Sequence, residues 1–268
     1  MTSAGHPLAL LTAKGISKRF GGVHALADVD FTINHGEIYG LIGPNGAGKT
    51  SLFNVLTGIY SADGGEFVFD GSPLAGLKPN DVAERGIART FQNIRLFANL
   101  SALENVLIGR HVRTRANVFG AILRDARTRA EESAIEKRAH ELLEYVGVAK
   151  RANTLAKHLA YGDQRRLEIA RALATEPKLL ALDEPAAGMN ATETASLKGL
   201  LGNIRRDGMT ILLIEHDMKL VMSVCDRVLV LDYGKKIAEG PAAEVQKDPQ
   251  VIAAYLGGEV TLNLKGAA

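Results

Sequence analysis

The sequence is poor in several features, and each scarcity excludes a class of protein. Its 268 residues include one cysteine, Cys225, so no disulfide can form within the chain, as expected for a reducing compartment. No apolar run approaches the roughly 18–20 residues that a membrane-spanning helix requires. The N-terminal segment, MTSAGHPLALLTAKG, lacks the basic start and long apolar stretch of a signal peptide. We therefore expect a cytoplasmic protein that reaches a membrane only through partners, with Cys225 as a small buried hydrophobe.

An excess of either charge is also missing. The formal net charge is +2, from 32 basic and 30 acidic residues, which does not predict the dominant basic face of a nucleic-acid-binding protein. We therefore expect no nucleic acid among the partners. Residues 110–129 are a local exception, with six arginines and one acid, Asp125. This stretch fits either a solvated helix face or a surface that contacts an acidic partner or anionic lipid headgroups.

Strand and helix patterns alternate along most of the chain. Residues 8–35 and 61–71 predict short strands separated by turns, whereas residues 99–158 show helical spacing with many charges on the outer face. After residue 165 apolar strands and helices alternate again up to about residue 240. This order predicts an α/β fold whose mostly parallel sheet is covered on both faces.

The segment GPNGAGKT, Gly43 to Thr50, fits the phosphate-loop pattern G-x-x-x-x-G-K-[ST] without a mismatch. It follows a predicted strand at 37–43 and opens a predicted helix at 49–59, which is the context the motif requires. Glycines let the backbone approach phosphate oxygens closely, so that successive N–H groups point inward. Lys49 is expected to reach the β- and γ-phosphates, and the Thr50 hydroxyl to ligate Mg²⁺.

Two other strand ends carry groups suited to phosphate chemistry. The apolar run KLLALDEP ends in Asp183, expected to hold Mg²⁺ directly or through water, and Glu184, expected to polarise an attacking water. His216 follows the strand MTILLIE, at the carboxyl end where parallel sheets place ligand groups. A structural role for this single histidine stays open on the residues alone.

With these pieces in order, the chain resembles the ATP-binding subunits of ABC transporters over nearly its whole length. The resemblance adds the Q-loop RTFQNIRLF (89–97) with Gln92, the signature LAYGDQRR (159–166), the D-loop AAGMN (186–190) and a switch histidine, His216. Within the family, stretches such as RTFQNIRLFANLSALENVLIGRH, ILLIEHDMKLVM and DPQVIAAYLG are similar to the LivG-type ATPases of branched-chain amino acid importers.

The resemblance implies a P-loop NTPase (RecA-like) fold, with a mostly parallel sheet, an antiparallel β subdomain and an inserted α-helical subdomain. The implied organisation is a first part of the nucleotide-binding core at 1–98, a helical signature subdomain at 99–164, a second part of the core at 165–240, and a C-terminal helix and tail at 241–268.

The family's functional roles fall on matching positions of this sequence. Catalysis is assigned to Lys49, Gln92, Glu184 and His216, and Mg²⁺ to Thr50, Gln92 and Asp183. The groups expected to bind ATP are Phe20, which matches the aromatic that stacks on adenine, and Gly43, Pro44, Asn45, Gly46, Ala47, Gly48, Lys49, Thr50 and Ser51. Four signature residues are expected to face the ATP held by a second subunit: Ala160, Tyr161, Gly162 and Asp163.

The signature departs from the commonest family form, LSGGQ. Ala160 replaces a serine, Tyr161 a glycine and Asp163 a glutamine, so a serine hydroxyl contact to the γ-phosphate is lost. Backbone and helix-dipole contacts at the start of the helix can persist. The D-loop has Met189 and Asn190 where leucine and aspartate are usual in the family.

The resemblance also implies partners. Two ATPase subunits sandwich two ATP molecules; the second is a related but distinct chain, or a second copy in isolation. The pair sits beneath two integral-membrane permeases at the cytoplasmic face of the inner membrane, and a periplasmic binding protein delivers substrate to the permeases. Branched-chain amino acids are the leading substrate; urea, short amides, aromatic acids, lipopolysaccharide export and a soluble ABC ATPase remain alternatives.

Overall fold

The computed structural model describes residues 8–110 and 126–255, with side chains described for 8–110 and 130–255. Of the arginine-rich stretch 110–129, only Arg110 has a described side chain, so its proposed contact role lies outside the described residues. The described chain forms two compact units. The first contains the residues up to Val82 and those from Leu201, and the second contains Ala83–Leu200.

An antiparallel sheet forms one layer of the first unit. Its strands are β1 (Ala9–Phe20), β2 (Val23–Asn34), β4 (Gly64–Phe69) and β5 (Ser72–Pro73), in the order β2-β1-β4-β5. The first two strands are longer than the short strands predicted from the turn-like breaks, because register shifts absorb the irregular positions within the β1–β2 pair.

Parallel strands form the second layer of this unit. β3 (Ile38–Ile42) pairs in parallel with β8 (Thr210–Ile214) and β9 (Arg227–Asp232), and β10 (Lys235–Pro241) adds an antiparallel edge. All residues of β3 and β8 are buried, as expected for parallel strands covered on both faces. Because both strands run the same way, the residues after Ile42 and after Ile214 lie at one edge of the sheet.

Helices follow these strands in the first unit. They are α1 (Lys49–Leu56), α2 (Pro79–Arg85, where the chain leaves the unit), α7 (Met218–Val224) and α8 (Ala242–Val245), and residues 249–255 are also helical. Cys225, just after α7, is buried, and desolvation raises the pKa of its thiol to about 12. The predicted role of Cys225 as a small buried hydrophobe is confirmed.

The second unit combines two parallel strands with a set of helices. β6 (Ile87–Arg89) pairs with β7 (Leu179–Asp183), so that the segments following both strands lie at one edge. The helices are α3 (Ala102–Arg110), α4 (Ala126–Tyr145), α5 (Tyr161–Leu173) and α6 (Ala191–Arg206, which continues into the first unit from Leu201), with short 3₁₀ turns at Ala149–Arg151 and Ala156–His158.

Helix α3 packs against both α4 and α5, and local capping fixes where it begins. The Ser101 hydroxyl accepts the Glu104 N–H at 3.2 Å, and the Glu104 carboxylate accepts the Ser101 N–H at 2.7 Å. This reciprocal pair is a capping box. Within residues 99–158 the predicted helical character is confirmed at Ala102–Arg110 and Ala126–Tyr145, whereas residues 146–158 form turns and the two short 3₁₀ segments. Across residues 8–110 and 126–255, no helix is both long and apolar enough to cross a membrane.

Candidate active site

The loop between β3 and α1 has a backbone that only glycine tolerates at two positions. Gly43 has φ +152° and Gly48 has φ +102°. A Cβ on Gly43 would lie 2.1 Å from the Leu231 carbonyl oxygen, and one on Gly48 would lie 2.5 Å from that of Ala25. The packing of this chain therefore requires both glycines, independently of any close approach by phosphate.

Lys49 closes this loop on itself. Its side chain is buried with the residue only 8% exposed, and Nζ donates to the carbonyl oxygens of Gly43 at 2.7 Å and Pro44 at 3.0 Å. A further bond runs from the Ala47 N–H to the Pro44 oxygen at 3.2 Å. The ammonium thus lies inside the loop that the sequence predicted to bind phosphate. Of the other predicted binding residues, Asn45, Gly46 and Thr50 are exposed, and Ser51 lies half-buried in the first turn of α1.

Phe20 lies at the end of β1 with 43% of its surface exposed, as a base-stacking residue requires. The ring of Tyr60 meets it edge-on, with the ring centroids 5.2 Å apart. The sequence analysis missed Tyr60, because an exposed tyrosine after α1 has no distinguishing pattern of its own. In the structure it supports one edge of the Phe20 ring.

His216 directly follows β8, and its side chain is 60% exposed. Its Nδ1 lies 3.8 Å from Oε2 of Glu215, a fully buried carboxylate that also accepts the His216 N–H at 3.2 Å. The next residue, Asp217, caps α7 by accepting the N–H groups of Lys219 and Leu220. The histidine is therefore held between a buried acid and a capped helix start, with its ring directed to solvent.

The two carboxylates after the apolar run lie in the second unit. Asp183 ends β7 and is buried; its N–H donates to the Thr90 hydroxyl at 3.2 Å, and its Oδ2 lies 4.0 Å from Arg89 Nη2. Burial lowers the pKa of Arg89 to about 10, and the charge of Asp183 opposes that shift. Thr90 thus fixes the backbone of Asp183, a role that the sequence analysis did not assign.

Glu184 has φ +46°, a conformation that non-glycine residues adopt rarely and that is concentrated at functional sites. Its Oε2 accepts a hydrogen bond from Gln92 Nε2 at 2.9 Å. The structure therefore brings together two residues that were predicted to share catalysis from positions 92 apart in the sequence.

The signature residues form the start of α5. Ala160 is the N-cap and provides no side-chain cap bond, which agrees with the loss of the usual serine. Gly162 is buried, and a Cβ there would lie 2.8 Å from Glu193 Oε1. Asp163 lies in the first turn, where a negative charge complements the helix dipole. The ring of Tyr161 lies beside Gly188 of the D-loop, where an added Cβ would meet it at 3.2 Å.

The asparagine of the D-loop has a structural explanation. The Asn190 N–H donates to Glu193 Oε2 at 2.9 Å, and Asn190 Oδ1 accepts the Glu193 N–H at 3.0 Å. This reciprocal pair starts α6, and asparagine performs the role as well as aspartate. The pattern N-x-x-E before a helix was a readable signal for it.

The profile of the ABC transporter family matches residues 26–187, more than half of the chain and including both the phosphate loop and Glu184. The chain belongs to the ABC transporter ATP-binding proteins. A second profile, named for the branched-chain amino acid ATP-binding cassette transporters, matches residues 235–261.

Two curated relatives cover nearly the whole chain. The branched-chain amino acid transport ATP-binding protein LivG of Salmonella typhimurium is 45% identical over 249 residues, covering 92% of this chain and 98% of LivG. The lipopolysaccharide export ATP-binding protein LptB of Escherichia coli is 34% identical over 255 residues, covering 95% of this chain and 100% of LptB. The predicted family, and an ATPase that serves a transporter, are confirmed.

Solved structures of the same family have the same fold. The ADP conformation of MJ1267, an ATP-binding cassette of an ABC transporter, superposes with a TM-score of 0.81 at 32% identity, covering 93% of this chain and 99% of that one. The dimeric post-hydrolysis state of the cassette MJ0796 superposes with a TM-score of 0.74 at 25% identity, covering 87% of this chain and 98% of that one. The predicted P-loop α/β fold is confirmed, and the family binds nucleotide.

Replacing Lys49 with alanine removes the cation at the centre of the phosphate loop. We expect Lys49→Ala to weaken ATP binding by about 100-fold, which corresponds to about 2.7 kcal/mol, because charge-assisted bonds to phosphate are lost. Fluorescence titration with a labelled ATP analogue measures the change, and circular dichroism checks the fold. Lys14→Ala, at an exposed position on β1, is the matched control. Equal affinity in wild type and Lys49→Ala would contradict the assignment.

Proposed function

We propose that this chain is the ATP-hydrolysing subunit of an importer for branched-chain amino acids. The observation that carries the proposal is the 45% identity to LivG over 92% of the chain. The match of residues 235–261 to the branched-chain amino acid cassette profile supports it from a different part of the sequence.

ATP binding is assigned to the phosphate loop and one aromatic face. Backbone N–H groups of the loop 43–51, in which Pro44 has none to donate, and the ammonium of Lys49 would hold the phosphates, and Phe20 would stack on the base. In the structure Lys49 Nζ already bonds to loop carbonyls, so binding exchanges those contacts for stronger ones to phosphate. The loop backbone is thus preorganised for an anion.

Mg²⁺ is the metal that these residues fit. The proposed donors are a hydroxyl, an amide oxygen and a carboxylate, from Thr50, Gln92 and Asp183, and hard oxygen donors are what Mg²⁺ takes. In the described part of the chain no group of three or more His, Cys, Asp or Glu side chains could hold a metal. Mg²⁺ usually keeps several waters and binds substrate phosphates, so the three proposed side chains would be only part of its ligand set. When bound, Mg²⁺ neutralises charge on the phosphates.

Glu184 is proposed as the general base and His216 as a contact of the γ-phosphate. The Glu184 carboxylate is half-buried and accepts a hydrogen bond from the Gln92 side-chain amide, which restrains its orientation for the proposed transfer of a proton from water. The exposed ring of His216 has room to reach a phosphate oxygen. Both roles remain proposals for this chain.

A dimer completes the proposed site. The start of α5, residues 160–163, would present its N–H groups and dipole to the ATP held by a second ATPase subunit. The solved structure of the cassette MJ0796, a dimer bound to ADP and Pi, supports the dimeric state of this proposal. ATP binding would close the dimer and hydrolysis would reopen it, through the change in charge at the γ-phosphate.

Membrane partners are proposed on the same basis. The second subunit is a paralogous ATPase or a second copy, and the pair would dock two permeases at the cytoplasmic face of the inner membrane. Residues 93–106, which run from the Q-loop into the proposed helical subdomain 99–164, would line the groove that receives a permease helix. Phe97 is 48% exposed in this segment and offers an apolar contact. A periplasmic binding protein would take part indirectly.

Other transported substrates are less favoured. Lipopolysaccharide export would follow from the similarity to LptB, but that identity is 34% against 45% for LivG. Urea, short amides and aromatic acids remain alternatives within the importer class, because the ATPase does not touch the transported molecule in this mechanism. A soluble ABC ATPase is the alternative outside transport.

Replacing Glu184 with glutamine tests the catalytic proposal. The amide keeps the shape but cannot take a proton from water, so we expect turnover to fall by about 10²–10⁴-fold. ATP affinity should stay within about twofold, and the variant should accumulate as an ATP-bound dimer. Phosphate release and size-exclusion chromatography with ATP measure both effects. Glu141→Gln, on the exposed face of α4, is the control. Equal turnover in wild type and Glu184→Gln would remove the base assignment.

Purification of the tagged chain from its native membranes in mild detergent tests the proposed partners. We expect mass spectrometry to identify two multi-span permeases and a second, shorter ATPase. Recovery only from the soluble fraction, with ribosomal, DNA-repair or cluster-assembly proteins, would contradict the transport proposal and leave the nucleotide site in place.

A further inference from the structure

A buried pair of opposite charges lies on α5: Arg165, near the end of the signature, and Glu168, two residues after it. Arg165 is 3% exposed and Glu168 is 1% exposed, with Nη1 and Oε2 3.4 Å apart. Buried charges persist only where other groups satisfy their remaining hydrogen-bonding capacity. The groups that do so here belong to the Q-loop.

Arg165 binds carbonyl groups of the Q-loop backbone, and Glu168 binds N–H groups of the same loop. Arg165 Nη1 donates to the Phe91 carbonyl oxygen at 2.7 Å, and Nη2 donates to the Gln92 carbonyl oxygen. Glu168 Oε1 accepts the N–H groups of Phe91 at 3.4 Å and Arg95 at 3.3 Å. Among residues 8–110 and 126–255 no strand pairs with this irregular segment over those groups, and the α5 pair supplies partners for its peptide groups.

Tyr161 holds the other side of the same guanidinium. Its hydroxyl accepts from Arg165 Nε at 3.2 Å and from Nη2 at 2.9 Å. Glycine, the commonest residue at this signature position in the family, has no hydroxyl to offer. Tyr161 therefore gives this chain a contact between the signature and Arg165 that the common motif cannot make.

The contacts continue from the Q-loop to the proposed base. The Gln92 carbonyl is bonded by Arg165, and the Gln92 side-chain amide donates to Glu184 at 2.9 Å. A fixed peptide at residue 92 restricts the side-chain amide to the positions that its own torsions can reach. The signature tyrosine is thereby linked to the catalytic carboxylate through two intermediate residues.

We propose that Tyr161 and Arg165 are positioning residues that hold the Q-loop so that the Gln92 amide meets Glu184. The catalytic part of this inference rests on the proposed function, because it takes Glu184 as the base. Neither residue touches reacting atoms from its position in this unit. Their effect on turnover passes through Gln92.

Arg165→Lys and Tyr161→Phe are the informative variants. Lysine keeps the positive charge beside Glu168, so the buried carboxylate stays paired, but one ammonium cannot reproduce the planar fork that reaches two carbonyls and a hydroxyl. Phenylalanine removes only the hydroxyl. Arg138→Met, on exposed α4, and Tyr233→Phe, at a highly exposed tyrosine, are the matched controls.

Hydrogen–deuterium exchange without nucleotide measures the loop independently of catalysis. We expect the amides of residues 91–95 to exchange about tenfold faster in Arg165→Lys and about threefold faster in Tyr161→Phe, as the loss of a charge-assisted and a neutral hydrogen bond implies. Peptides covering the phosphate loop, 43–51, should exchange as in wild type, and both controls should leave all peptides unchanged.

Steady-state ATP hydrolysis measures the consequence. We expect kcat to fall by the same factors of about ten and about three. In Arg165→Lys the KM for ATP should change by less than about twofold, because Lys49 and its loop are untouched. KM is compared only in this variant, since Tyr161 is one of the signature residues proposed to face the ATP of a second subunit. When Gln92→Ala is already present, adding Arg165→Lys should lower kcat by less than about twofold, because Arg165 acts through Gln92.

Each outcome decides the inference. Unchanged exchange at residues 91–95 in Arg165→Lys overturns the inference. So does a double variant whose loss of kcat equals the product of the losses in Arg165→Lys and Gln92→Ala. Faster exchange with wild-type kcat overturns the link to Glu184. If the wild type hydrolyses no ATP, the proposed function fails, whereas local acceleration at 91–95 would still support the positioning of the loop.

Discussion

Two loops of the candidate site begin where the chain leaves a buried parallel strand. The peptide groups just after such a strand no longer pair with a neighbouring strand, so they must form hydrogen bonds with other partners. After β3 the carbonyl oxygens of Gly43 and Pro44 receive the Lys49 ammonium. After β6 the Q-loop receives Arg165 and Glu168. In each case a buried cation is fixed by backbone oxygens, and the loop acquires a single shape.

The two cations differ in what can replace them. Lys49 bonds to two carbonyl oxygens of its own loop, and a phosphate offers it a stronger, charged acceptor, so its contacts are exchangeable. Arg165 is clamped by two carbonyls, a hydroxyl and a carboxylate, and it lies almost wholly out of water. The first cation suits a ligand site, and the second suits a permanent support. Catalytic geometry of this kind depends on such rigid support more than on the reacting groups alone.

The structural features that a local residue pattern encodes could be predicted from the sequence. The phosphate-loop glycines and the buried strands before Gly43 and Glu184 follow from residue types at fixed spacing. The capping pair Asn190–Glu193 has such spacing too and was overlooked. The lengths of β1 and β2 differ from the prediction because register shifts within a pair leave no mark in the turn pattern. The bond from Arg165 to Phe91 joins residues 74 apart, and no local pattern encodes such a contact. The catalytic roles of Gln92 and Glu184 were predicted through the family resemblance, but the hydrogen bond between them was not.

The measurement that tests the account most directly is uptake of radiolabelled leucine, isoleucine and valine by cells of the source organism that lack this chain. The account predicts that uptake is restored by the wild-type chain and stays at background when the only copy carries Glu184→Gln at equal abundance. Full uptake of all three amino acids in cells without the chain, or with the Glu184→Gln copy alone, would contradict the claim that its ATP hydrolysis drives their import.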